Sequence, residues 1–274
     1  MGSEMCIRDS IDSLIQEIHI VGSQHAEHRK ATSLYFGGGT PALAANRIKE
    51  IVNALSEHFI ITEGIGLELH PDNVNVETLQ MLKDAGVTKI SIGIQSFCDK
   101  YQKILGRKKI DTAEMMSALS AVSFETVSMD FIFALPGQTY DDLKSDIDTA
   151  FLLGANHVAI YPFIDFTFTE SPVTAMPKKD KRELLDAITQ YCLGKGYSRN
   201  SIWTFSSGTD ANYSSMTRDN FLGFGCSATS LFKEQFKINT FDVDSYCERI
   251  RSGNLATSLT CLLYTSPSPR DPKT

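Results

Sequence analysis

The chain has 274 residues, 42% of them apolar and 22% charged, with 18 glycines and 9 prolines. That composition excludes a disordered, collagen-like or disulfide-built chain and leaves room for one barrel-sized domain or two smaller ones. A net charge of -7, from 33 acidic and 26 basic residues, excludes a broad electrostatic footprint for nucleic acid, and no run approaches the roughly eighteen apolar residues of a membrane span. The amino-terminal segment lacks the charged-then-apolar order of a signal peptide, so a soluble, cytoplasmic location is expected.

From Ile11 onward, amphipathic helical stretches alternate with short β-branched runs. Residues 11–22 place Ile11, Leu14, Ile15 and Ile18 at helical spacing. Residues 33–36 form a short strand entering Gly37-Gly38-Gly39-Thr40-Pro41, and 44–59 form a helix with Ile48, Ile51, Val52 and Leu55 on one face. A strand at 66–69 leads to a helix over 76–86, stopped by Gly86. Next come a strand at 89–94, a helix at 112–122, a strand at 127–133, the turn 135–139, a helix at 141–154 and a strand at 157–163. Strand–helix pairs repeating at about thirty residues indicate parallel βαβ units, which fit either an open doubly wound sheet or a closed barrel. Beyond residue 165 the pattern changes to one helix over 178–196, candidate strands around 201–206 and 212–217, and the glycine-rich stretch 222–228.

Both ends look foreign to this pattern. Residues 2–10 can be encoded by GGC TCG GAG ATG TGT ATA AGA GAC AGN, whose reverse complement, read from TGT, encodes the sequence found from Cys261 onward. One DNA element then sits at both ends in opposite orientations, and it resembles a transposon-derived adaptor used to fragment sequencing libraries. We therefore expect residues 1–10 and 261–274 to be adaptor-encoded and the native gene to be open at both ends. Setting these ends aside leaves Cys98, Cys192, Cys226 and Cys247, with no tight metal-ligand spacing.

Three glycines after a strand and before a helix let a backbone approach a ligand at the positive end of that helix. A tight βα turn without a ligand explains the same triplet, which is neither a P-loop nor G-x-G-x-x-G. Polar residues mark the ends of other strands: Glu68 near the end of one, Gln95 just after the next, and Asp130 inside an apolar run. A solvent-facing strand position, a helix cap and a backbone-satisfied carboxylate are the plain alternatives for the three. An Asp within an apolar strand is costly unless paired, so Asp130 is the least passive of them. Ligands of parallel α/β folds bind where strands end, so four successive strand ends argue for one pocket, with Arg107 as the cation to meet an anionic group. Tyr161, Phe163, Phe166 and Phe168 fit either a flat aromatic pocket or ordinary core, as do Trp203 and Phe205. His70 and His157 read as structural histidines, Cys98 and Cys226 as small apolar residues, and 178–182 as a solvated helix start.

Taken in order and at these separations, Ser33 to Pro41, the Glu68 strand, Lys89 to Phe97, Leu105-Gly106-Arg107 and Met129 to Thr139 resemble the radical S-adenosylmethionine (SAM) family of oxygen-independent coproporphyrinogen III oxidases and HemW-type haem chaperones. The resemblance is close over 11–165 and looser beyond. It implies a partial parallel (β/α)6, TIM-like barrel over 11–165 and a truncated α+β accessory region over 166–260. Also implied are SAM, a [4Fe–4S] cluster, an electron donor such as flavodoxin or ferredoxin, and a tetrapyrrole or haem as the small-molecule partner. Carried over by position, Gly38, Gly39 and Thr40 hold the methionyl end of SAM, Glu68 bonds the ribose hydroxyls, and Gln95, Arg107 and Asp130 match positions lining a second SAM site. The family's C-x3-C-x2-C, which supplies the cluster thiolates, is absent here and is expected upstream of residue 11. A lysine, Lys108 or Lys109, replaces the family's His after Leu-Gly-Arg, and 214–220 replaces the chaperones' H-N-x-x-Y-W stretch. The implied activity is a radical SAM oxidoreductase in porphyrin biosynthesis; a haem-binding chaperone, a radical SAM methyltransferase and a phosphate-binding α/β protein are the alternatives.

Overall fold

A computed structural model describes residues 2–24, 28–164, 176–208, 220–232 and 234–262. In chain order the elements are α1 (Gly2–Gly22), β1 (Arg29–Ala31), β2 (Leu34–Phe36), α2 (Ala45–Ser56), β3 (Phe59–Ile61), β4 (Ile65–Leu69), α3 (Val76–Asp84), β5 (Lys89–Gln95) and α4 (Asp99–Ile104). They continue with α5 (Thr112–Ala121), β6 (Thr126–Phe133), α6 (Tyr140–Leu152), β7 (His157–Pro162), α7 (Lys178–Gly194), β8 (Ser198–Arg199) and β9 (Thr204–Ser206). Last come β10 (Thr229–Phe232), β11 (Gln235–Asn239), α8 (Val243–Arg251) and β12 (Thr257–Leu262). None of the described helices is long and apolar enough to cross a membrane.

Two units divide the chain, one made of residues 33–46 and 63–215, the other of 1–32, 47–62 and 216–274. The first holds a mixed sheet in the order β2-β4-β5-β6-β7-β9-β8. Its first five strands are parallel neighbours, as the strand–helix period indicates, and β9 then pairs antiparallel with β7. The fold is therefore α/β with a mostly parallel sheet.

The two faces of this sheet differ in chemistry. One carries Leu67, Leu69, Ile90, Ile92, Ile94, Met129, Phe131, Phe133, Val158 and Ile160, all buried. Fully burying an aliphatic or aromatic side chain stabilises by about 1.5–3 kcal/mol, so this face dominates the unit's stability. The helices that follow the strands start at specific caps. Asn75 accepts from Thr78 N at α3, Asp111 from Ala113 N and Glu114 N at α5, and Thr139 with Asp142 forms a capping box at α6.

In the other unit, β1 and β3 form a short parallel pair and β10-β11-β12 an antiparallel sheet. Glu17 of α1 is buried there and accepts from Gly225 N at 2.7 Å, Asn239 Nδ2 at 2.8 Å and the Tyr246 hydroxyl at 2.8 Å. Burial pushes this carboxyl above its ordinary pKa, and the three donors oppose the rise.

Several readings of the sequence are corrected. The helix read from Ile11 starts at Gly2, and Asp9 on that extra stretch pairs with Arg251 at 2.9 Å. The helix read through Phe59 stops at Ser56, because Phe59-Ile60-Ile61 is a β-branched and aromatic run that pairs with β1. Of the late candidate strands, the first narrows to Thr204–Ser206, and 212–217 lies outside the described residues. The elements from β10 to β12, including α8 with its Asp242 cap, have no counterpart in that reading.

Candidate functional site

The second face of the parallel sheet is polar. Strand register aligns Glu68 with Ser91, Ser91 with Ser128, and Ser128 with His157, one row across β4, β5, β6 and β7. Side chains alternate along a strand, so Asp130 lies on this face one step further along β6 than Ser128, and Tyr161 two steps beyond His157 on β7. Ser91, Ser128 and His157 are buried, whereas Asp130, Gln95 and Tyr161, nearer the carboxyl ends of their strands, are half-buried. The polar face therefore opens at the carboxyl ends, where ligands of parallel sheets bind.

Asp130 is held by two hydroxyls, Ser91 Oγ at 2.8 Å and Ser128 Oγ at 3.2 Å. Ser128 Oγ also lies 2.9 Å from His157 Nδ1. Every hydrogen in this chain finds an acceptor if His157 carries its proton on Nδ1 and donates to Ser128, which donates to Asp130. Burial holds His157 down to about 4, so the ring is neutral, in keeping with a structural histidine. Burial pushes the Asp130 carboxyl up to about 6; the two serines oppose this, and the Glu68 charge adds to it. Burial also raises the Tyr161 phenol, with the Asp130 and Glu68 charges contributing, so all three share one electrostatic environment.

Glu68 ties the glycine loop to the sheet. Its Oε1 accepts from the Tyr35 hydroxyl at 2.9 Å and its Oε2 from Gly38 N at 3.2 Å. Gly38 and Gly39 have φ of 78° and 48°, in the left-handed region that favours glycine. A Cβ on either would meet nothing within 4 Å, so the backbone conformation requires glycine and the space above the loop is open. Thr40 precedes the 3-10 turn Pro41–Ala44, which runs directly into α2, and its hydroxyl makes no capping bond. An open glycine backbone beside a carboxylate with remaining lone pairs suits a ligand that carries several hydrogen-bond donors.

Gln95 ends β5 at φ 69°, a strained conformation for this residue type, next to a register shift between Ile92 and Gln95. The loop after it is fixed from behind. Asp146 of α6 accepts from Ser96 Oγ and Phe97 N, both at 2.7 Å, and Gln102 donates to Ile94 O at 2.9 Å and to Ser96 O. Burial pushes Asp146 up to about 6 against those two bonds. Arg107 donates Nη1 to Gly93 O at 2.7 Å, and burial lowers its pKa. In this structure Arg107 braces the β5 end through one of its five N–H groups.

The residues named from sequence thus separate into a Gly38–Gly39–Thr40–Glu68 group, an Asp130 group and a Gln95–Arg107 group, on neighbouring strand ends of one unit. Reading the sequence missed Ser91, Ser128 and Asp146. A serine in a strand carries no signal until register places it opposite a carboxylate, and Asp146 on an amphipathic helix looks like a solvated charge. Tyr161 and Phe163 are half-buried and Phe205 is buried, while Trp203 meets Phe133 at a tilt of 37° with ring centroids 5.8 Å apart. Phe166 and Phe168 lie outside the described residues. His70 accepts from Asp72 N at 3.2 Å, a local capping role.

The sequence profile of the Radical SAM superfamily matches residues 9–150. Among relatives, the haem chaperone HemW of Lactococcus lactis is 30% identical over 207 residues, covering 71% of this chain and 53% of that protein. The oxygen-independent coproporphyrinogen III oxidase of Pseudomonas aeruginosa is 23% identical over 276 residues, covering 89% of this chain and 59% of that protein. This chain therefore spans somewhat more than half the length of the relatives it matches. Among solved structures, the Escherichia coli coproporphyrinogen III oxidase HemN, a radical SAM enzyme, superposes with a TM-score of 0.80 at 20% identity, covering 93% of this chain and 64% of that one. At that identity the likeness concerns the fold.

Proposed function

Because this chain belongs to the Radical SAM superfamily, we propose that its polar strand-end face binds S-adenosylmethionine for chemistry on a tetrapyrrole-like substrate. The observation that carries the proposal is the open Gly38–Gly39 backbone bonded to Glu68, one strand away from the Ser91–Asp130–Ser128–His157 chain. In this superfamily SAM and a [4Fe–4S] cluster together supply a 5′-deoxyadenosyl radical.

The chain's own residues bind and orient. Gly38, Gly39 and Thr40 offer backbone groups and a hydroxyl to the methionyl end, and Glu68 accepts from ribose hydroxyls on the lone pairs that Tyr35 and Gly38 leave. Asp130, Gln95 and Arg107 line the adjoining space for a second SAM or for substrate, with Arg107 braced on Gly93 and able to meet a carboxylate. Below about pH 6 Asp130 holds a proton; above it the carboxylate accepts from an ammonium group, so binding of SAM strengthens as pH rises through that value. Among the described residues no three cysteines converge, so the residues present do not fit a cluster, and none is given that role. Residues 11–260 are on this reading the native polypeptide, with 11–165 the radical SAM core and 166–260 the accessory region. A C-x3-C-x2-C in the genomic codons adjoining residue 11 would support this division, and its absence there would oppose radical chemistry.

Calorimetric titration with SAM tests the site. Glu68→Ala and Asp130→Ala are each expected to weaken SAM by about tenfold or more, about 1.4 kcal/mol, with the far-ultraviolet spectrum intact. Unchanged affinity in both variants would remove the assignment. A second reading, a haem-binding chaperone, is favoured by the 30% identity to HemW. Saturable haem binding seen by absorption, without any effect of SAM, would move the function there.

A further inference from the structure

The other unit brings together two imidazoles and a carboxylate. His19 lies in the last turn of α1, and Glu57 and His58 directly follow α2. His19 Nδ1 is 3.1 Å from His58 Nε2 and 3.8 Å from Glu57 Oε2, and the three ligand atoms all lie within 4.8 Å of one another. The geometry points to a divalent transition-metal site formed by His19, Glu57 and His58, with zinc as the fitting ion and a fourth position open to water. Zinc bonds imidazole nitrogen at about 2.0–2.1 Å in a tetrahedron, which places two such nitrogens about 3.3 Å apart. The observed pair needs to open by only a few tenths of an ångström, and the Glu57 side chain, 65% exposed, is free to close the remaining gap.

Two further features support a cation here. Both helices direct their carboxyl ends at the cluster, where the backbone dipole favours positive charge. Arg29 already exploits the α1 end, its guanidinium 3.4 Å from Val21 O. The His58 ring is also held in place. A Cβ on Gly22 would lie 2.2 Å from His58 Cγ, so the absence of a side chain at Gly22 lets the ring lie against α1. The imidazoles cross edge-on, at 77° with centroids 5.3 Å apart, which directs both nitrogens into the shared space. Binding requires lone pairs on His19 Nδ1 and His58 Nε2. The ring that donates in the metal-free pair moves its proton to its other nitrogen, and no net proton is released from neutral rings. Imidazole and carboxylate together suit zinc more than calcium or magnesium.

The test uses the full 274-residue chain, stripped with a chelator and titrated with zinc against a chromophoric competitor, and separately with cobalt(II). One equivalent is expected to bind, with cobalt giving visible d–d absorption but no thiolate charge-transfer band, which separates this site from the free cysteines. His19→Gln and His58→Gln should each weaken zinc by at least about tenfold, the loss that removal of even an outer-shell partner brings, and Glu57→Gln should weaken it less. Zinc should also raise the thermal midpoint of the parent chain and not that of His19→Gln. Because His58 packs on Gly22, His19→Gln, with a side chain 43% exposed, carries the test if His58→Gln fails to fold. Binding only through thiolate, equal affinity in parent and His19→Gln, or no binding at micromolar zinc would overturn the site.

Discussion

Glu17 and Asp130 are both carboxylates set into the protein, one in each unit, and they differ in what surrounds them. Glu17 is buried and meets a backbone amide, a side-chain amide and a phenol at 2.7, 2.8 and 2.8 Å. Asp130 has two serine hydroxyls, stands half-buried on a face that opens at the strand ends, and feels the like charge of Glu68. Burial raises the pKa of both. The difference is acceptor use: Glu17 accepts from three donors and joins α1 to Gly225, β11 and α8, whereas Asp130 accepts from two serines of β5 and β6. A raised carboxyl pKa therefore marks burial, and the accompanying geometry decides between a clamp and a binding group.

The largest effect that separates the two comes from Glu17→Ala. Three donors lose their acceptor, and stability should fall by about 3 kcal/mol or more, measured by urea unfolding. A loss under about 1 kcal/mol would place Glu17 with Asp130 as an underused carboxylate. Asp130→Asn should do the opposite. In the fold Asp130 holds its proton up to about pH 6, against an ordinary value of 3.8 when unfolded. Between those values the unfolded chain binds fewer protons, so stability falls as pH rises through the window and stays lower above it. Asp130→Asn removes that fall and should stabilise by about 3 kcal/mol at neutral pH. Part of the slope should persist, because Asp146 is shifted the same way, also to about 6. The same variant should abolish the strengthening of SAM binding between pH 5.5 and 7.5, about one half-unit below and more than one unit above the Asp130 value.

Smaller effects sharpen the picture within the strand-end face. Gly38→Ala forces a side chain into φ 78° and should cost about 1 kcal/mol in stability, with weaker SAM binding, although the added carbon touches nothing. Asp146→Asn should loosen the loop after β5, seen as faster hydrogen exchange at Phe97, and lower SAM affinity by about threefold through Gln95. Fast exchange at Phe97 with unchanged SAM affinity would separate that loop from the site.

Much of the sheet was legible because its strands are near-continuous apolar runs bounded by turns, the signature of strands in a parallel sheet. Glu68 and Asp130 stood out as interruptions of those runs. Ser91, Ser128 and His157 acquired meaning only from register, a relation between distant segments that no local pattern records. The three-residue strands β1 and β3 were too short for periodicity to register, and Phe59 was absorbed into the preceding helix. The late helix α8 did carry a readable start, Asp242 accepting from Ser245 N at 2.8 Å, ahead of buried Tyr246, Cys247 and Ile250.

The two faces of the parallel sheet also bear on how such a protein diverges. Cohesion resides in Ile90, Met129, Phe131 and their neighbours, while the SAM site proposed above lies on the opposite face of the same strands. Along β6 the odd positions Val127, Met129, Phe131 and Phe133 are buried and apolar, while of the even positions Asp130 and Ile132 are half-buried. If the proposed site holds, selection can change specificity at Asp130 or Ile132 while the apolar face beneath keeps its packing, which leaves the scaffold open to new chemistry by single steps.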